Sequence, residues 1–165
     1  LIYCDTIEML KKAEEEIRDI GLQPKLYYSE MEEFQKAKTL QSFEINGGIL
    51  LAIKCLDEGI NISAISHGMV LSSTTNPREF IQRRGRMLRK AEGKNIAYIF
   101  DTFALPEEKS GGAHIGFINS EILRARDLTL DSENRTTNTE VIGRIIRKYG
   151  LDEDLNLEEE VVLID

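Results

Sequence analysis

The chain has no tryptophan, two cysteines and three prolines in 165 residues. Cys4 and Cys55 are too few for a disulfide framework and lack the spacing of metal ligands. Buried free thiols in a reducing cytoplasm, nucleoid-associated in a prokaryote, are therefore expected, and no metal site. No apolar run approaches the length of a membrane span, and no stretch reads as a secretory leader. No membrane partner is expected. Leu1 already lies in an apolar run that reads as a strand, so the expected context is a longer protein. Internal repeats and low-complexity stretches are also missing. A net charge of −8 argues against a protein that coats nucleic acid through a broadly basic surface.

What remains is an ordinary globular composition, 41% hydrophobic and 30% charged, long enough for one good core and a small appendage. The charge is unevenly spread. Residues 77–94 carry seven Lys/Arg against two Asp/Glu, a net +5, which leaves −13 for the rest. Residues 151–165 hold seven acidic side chains and no basic one. This is the pattern of a localised anion site.

Apolar runs at 1–4, 23–28, 49–53, 69–71 and 95–100 read as strands. Helical periodicity runs over 7–20, with Asp5 or Thr6 as cap and Gly21 as stop. Ser29 to Glu32 reads as a capping box for a second helix to about residue 44, stopped by Asn46-Gly47-Gly48. Strands separated by helices of this length imply parallel βαβ units with right-handed crossovers. Strands that are apolar without alternation imply a sheet covered on both faces. The expected fold is α/β, and its functional loops belong at the carboxyl ends of the strands. Residues 4–6, 54–61 and 72–75 fall there, and Asp101 at a strand end reads as a cap or interdomain contact. The chain divides at 104/105: residues 105–165 read as a polar linker, helices over 115–130 and 139–149, turn-prone residues at 131–138, and the acidic tail.

The most informative stretch is 76–89, NPREFIQRRGRMLR. Asn76, Pro77 and Glu79 form a helix-start signal. On a helical wheel Gln82, Arg86 and Arg89 share one stripe, while Phe80, Ile81, Met87 and Leu88 lie opposite. Gly85 beside the polar stripe lets another group approach the backbone. An apolar anchor thus holds two guanidiniums and an amide outward, an arrangement suited to a phosphate chain. Arg83 points about 100° off the stripe. Arg84 lies toward the apolar side, where its stem is expected along the surface with its head snorkelling out.

QRRGRMLR resembles motif VI of superfamily 2 helicases, roughly (Q/H)RxGRxxR. LLAIKCLDEGINIS at 50–63 resembles motif V, and LIYCDT at 1–6 resembles motif IV. Together, in order, they cover about the first 104 residues, so the chain resembles the second RecA-like domain of a superfamily 2 helicase or translocase. Its variants lean toward the branch of DNA repair helicases and restriction-enzyme translocases, apart from DEAD-box RNA helicases, which usually carry histidine at position 82. The resemblance implies a RecA-like parallel sheet of the P-loop NTPase type, with a C-terminal helical extension. It also implies an ATP cleft shared with a first RecA-like domain absent from this chain. That domain would carry the phosphate loop and the acidic motif holding Mg²⁺, neither of which this sequence contains, so the fragment alone is expected to be inactive. Arg86 and Arg89 would be arginine fingers, and Gln82 would position the attacking water or bond the γ-phosphate. Gly59 and Asn61 would contact the nucleotide, and Arg83 would form an interdomain ion pair. Lys54, Thr75 and Thr6 would contact the nucleic-acid backbone, DNA by branch and RNA as the other possibility, although Thr6 also reads as a helix cap. Two positions depart from the pattern: Ile53 replaces a threonine and Asn61 an aspartate. They favour a competing expectation, a degenerate RecA-like module that binds a protein partner without ATPase function.

Overall fold

A computed structural model describes residues 1–53, 65–71, 94–107 and 115–151. The chain separates into two compact units, Leu1–Thr102 and Phe103–Asp165.

The first unit is built on a five-stranded sheet: β1 (Ile2–Tyr3), β2 (Lys25–Tyr27), β3 (Leu50–Ala52), β4 (His67–Val70) and β5 (Tyr98–Asp101). Its order is β2-β3-β1-β4-β5, and every pairing is parallel, as the alternation of strand and helix requires. Helix α1 (Ile7–Asp19) packs Leu10 against Cys4, Leu51 and Ile53 on one face. Helix α2 (Glu33–Asn46) packs Phe43 with Tyr3, Leu50, Ala52 and Val70 on the other. Side chains alternate across each strand, so β3 must serve both cores. That is why it is an uninterrupted apolar run: Leu50, Leu51 and Ala52 are all 0% exposed.

Local chemistry sets the helix ends. Of the two expected caps for α1, Thr6 is the one used; its Oγ1 accepts from the Met9 amide at 3.2 Å. Gly21, at φ 82°, turns the chain out of α1 and donates to the Arg18 carbonyl. The capping box expected at Ser29–Glu32 does not form. A turn closed by the Met31 amide on the Tyr28 carbonyl takes up those residues, and α2 starts at Glu33 with no side-chain cap at Glu32. β4 begins at His67, earlier than the apolar run suggested. Its polar-looking start is held by cross-strand pairing of His67 with Tyr98, whose rings stack 4.8 Å apart.

The second unit holds two helices, α3 (Ile115–Leu130) and α4 (Arg135–Tyr149). Helix α4 starts four residues before the expected 139. The polar stretch at 131–138 is half turn and half helix, with the Asn134 and Asn138 side chains bonded to each other across one helical turn. Ile118 and Ile122 meet Ile142, Ile146 and Leu151 in a separate core, and Tyr149 donates to the Pro106 carbonyl at 2.7 Å. Glu121 and Arg124 are buried together, 2.8 Å apart, with the guanidinium over the Phe103 ring. Among the described residues no helix is long and apolar enough to cross a membrane.

Candidate functional site

The carboxyl edge of the sheet is level. Tyr3 is in register with Ala52 on one side and Val70 on the other, and Val70 with Asp101. Backbone bonds carry the pairing past the strand ends: the Cys4 amide donates to Ala52, Ile53 to Tyr27, and Leu71 to Tyr3. Thr102 adds two donors to one acceptor, its amide at 3.2 Å and its Oγ1 at 2.9 Å from the Val70 carbonyl. The roots of two connections, at Ile53 and Leu71, are thereby pinned on either side of the β1 carboxyl end.

Those two roots carry most of the residues singled out from the sequence. Lys54, Gly59 and Asn61 follow Ile53, while Thr75, Gln82, Arg86 and Arg89 follow Leu71. These seven lie outside the described residues, as does Cys55, and so does the expected helix at 77–89. The topology nonetheless makes both segments leave the same edge of the sheet, from strands separated only by β1. The eighth residue, Thr6, is exposed at that edge. Its lone pair serves the Met9 amide, and a hydroxyl can donate its hydrogen elsewhere at the same time.

Ile53, where the helicase pattern has threonine, is 9% exposed and packs against α1. Its side chain therefore belongs to the core. Cys4 beside Thr6 is also buried, as expected for a free thiol. Burial, and secondarily the Asp5 carboxylate next to it, push its pKa from 9.0 up to about 11, so it stays a neutral thiol and an inert one. Among the described residues no three His, Cys, Asp or Glu side chains gather as a metal site.

Two features escaped the sequence reading. One is Asp101, whose Oδ2 is shielded from solvent at the edge; a strand-end acid in register with the root of the arginine-bearing segment was the available signal. The other is a cleft of about 440 Å³ between the end of α2 and the amino ends of β1 and β4, lined by Phe43, Gly47, Leu1 and His67. It opens at the sheet's opposite edge, away from both roots, and no motif pointed to it.

The family model described as "Helicase conserved C-terminal domain" matches residues 1–91, more than half of the chain and the whole stretch that contains both roots. The chain belongs to this family. Curated proteins similar to this helicase domain include DEAD-box ATP-dependent RNA helicase 22 of Oryza sativa subsp. japonica, 22% identical over 100 residues, 61% of this chain and 17% of the relative. DEAD-box ATP-dependent RNA helicase 50 of Arabidopsis thaliana is 24% identical over 110 residues, 61% and 14%. The domain thus spans about a sixth of the length of the curated relatives it matches. Two solved structures share its fold. The yeast DEAD-box splicing factor Prp28 superposes with a TM-score of 0.61 at 16% identity, covering 96% of this chain and 32% of that one. The ATP-dependent Type ISP restriction-modification enzyme LlaBIII, bound to DNA, superposes with a TM-score of 0.58 at 20% identity, covering 90% and 13%. The fold is the RecA-like one of superfamily 2 helicase C-terminal domains.

Proposed function

We propose that this domain is the second motor domain of an ATP-dependent nucleic-acid helicase or translocase. In this reading it forms one wall of an ATP cleft whose other wall is a first RecA-like domain. The observation that carries the reading is the level carboxyl edge, where the segments beginning at Ile53 and Leu71 leave side by side. Family membership gives those segments their chemistry. Bound ATP supplies a γ-phosphoryl group that develops spread negative charge as it is transferred to water. Arg86 and Arg89 stabilise that charge, and Gln82 orients the water or bonds the γ-phosphate. Gly59 allows close backbone approach to the nucleotide, and Asn61 accepts from a ribose hydroxyl. The carboxylates that hold Mg²⁺ belong to the first domain.

Lys54, Thr75 and the hydroxyl of Thr6 donate to the phosphates of a nucleic-acid strand. Such contacts carry no sequence readout, which suits a translocase. DNA is the substrate we favour, because Gln82 stands where DEAD-box RNA helicases usually have histidine, and because of the likeness of the motif V and VI variants to repair and restriction motors. Closure of the two domains on ATP and their reopening after hydrolysis would move them along the strand. The compartment proposed is the cytoplasm.

The test is nucleic-acid-stimulated ATPase of the full-length protein, with DNA and RNA as separate activators. Arg86→Ala should lower the rate by about 10³–10⁵ while the circular dichroism of the domain stays that of the wild type. Wild-type rates in the variant would remove the assigned role, and stimulation by RNA alone would remove DNA as substrate.

A further inference from the structure

Side chains along β5 alternate between the two faces of the sheet. Ile99 packs with the cluster of Tyr3, Ala52 and Val70 on the α2 face. Asp101, two residues on and in register with Val70, stands on that same face, with Oδ2 shielded from solvent. A carboxylate oxygen withdrawn from water is costly unless a donor meets it.

The strand order says which segment passes over this face. The step from β2 to β3 runs across the sheet in the same direction as the step from β4 to β5, and the first of these is made by α2. A right-handed return from β4 to β5 therefore crosses on the α2 face as well. That return consists of residues 72–93 and includes the helix read from the sequence at 77–89. On its wheel Phe80, Ile81, Met87 and Leu88 centre the apolar side at about 200° from Gln82, and Arg84 falls on that same angle. An arginine at the middle of a core-facing stripe needs a carboxylate on the surface it packs against. Its planar fork, always charged, matches one well.

We propose that Asp101 receives the guanidinium of Arg84 in a shielded ion pair beneath the 77–89 helix. The pair fixes the rotation of that helix and so aims Gln82, Arg86 and Arg89 away from the sheet, toward the nucleotide. Asp101 is a positioning residue, and its effect on the reaction rests on the arginine-finger reading given above. The pair replaces the snorkelling expected for Arg84 from sequence alone.

The test is a double-mutant cycle of Asp101→Asn and Arg84→Met, read in two ways. Breaking a shielded pair from one side leaves an uncompensated charge, whereas removing both sides does not. In urea unfolding of the 165-residue chain, Asp101→Asn should shift the folding equilibrium toward the unfolded state by about a hundredfold, and the double variant should recover most of that loss. In the full-length protein, Asp101→Asn should lower the ATPase kcat by about tenfold with KM for ATP changed less, and the double variant should again recover. Losses that simply multiply in the double variant would overturn the pair. Coupling in unfolding with an unchanged kcat in Asp101→Asn would overturn the positioning role. The unfolding cycle does not depend on the fingers, so loss of the ATP reading through an active Arg86→Ala variant leaves the pair separately testable.

Discussion

In the unit Leu1–Thr102, strands that lie side by side come from positions as distant as Ile2 and Met69. In the unit Phe103–Asp165 the core is a pair of successive helices, and the buried ion pair joins residues three apart on one helix turn. The parallel sheet can gather segments that are far apart in sequence at one edge. The helical pair repeats contacts its own sequence neighbourhood already supplies. This is why the residues with phosphate chemistry cluster in the first unit, while the second spends its buried charge on itself.

The largest effect expected on that contrast is chemical. Arg86→Ala should remove about 10³–10⁵ of the ATPase rate of the full-length protein without lowering the melting temperature, which separates the site from its scaffold. Next, Glu121→Ala leaves Arg124 buried beside Phe103 without its carboxylate. It should cost about 3–5 kcal/mol of stability in urea unfolding; a loss under 1 kcal/mol would mean that the pair is solvated and the second unit is not built around it. Leu51→Ala opens a hole between β3 and α1 and should cost about 2–5 kcal/mol.

Cys4 gives a smaller effect with a pH signature. Its folded-state pKa lies above the ordinary value, near 11 rather than 9.0. The folded chain therefore keeps a proton that the unfolded chain releases. Stability from this group is intact below pH 9 and falls as pH climbs from 9 toward 11, by on the order of 2 kcal/mol. Cys4→Ala should flatten that part of the curve, and an unchanged slope would refute the assignment. The smallest effect is at the edge itself. Thr6→Ala should cost about 1 kcal/mol through the lost cap and weaken nucleic-acid binding slightly, whereas Thr6→Ser should restore both.

Much of this was legible in the chain. Periodicity located α1, α3 and all five strands to within a few residues, because apolar spacing and Gly stops act locally. Boundaries failed where a tertiary or turn contact overrode a local signal. The Tyr28–Met31 turn consumed the capping box of α2, pairing with Tyr98 drew His67 into β4, and Arg135 began α4 inside a polar run. Burial of Lys36 and Arg124 was not legible either. It depends on a carboxylate one turn away, Glu33 or Glu121, being carried into the same environment. For the candidate site, motif order identified the residues. Only the strand order could add that Ile53 and Leu71 flank β1, since adjacency in a parallel sheet is set by crossovers and leaves no mark on either segment.

The position of β1 in the middle of the sheet has a consequence for biosynthesis. Of the five strands it leaves the ribosome earliest, yet its partners on both sides, β3 and β4, are made tens of residues later. At common elongation rates the gap between Ile2 and Met69 corresponds to about 3–13 s. For that interval an apolar ribbon with two unsatisfied edges waits in the crowded cell, and nascent-chain chaperones have the most to protect there.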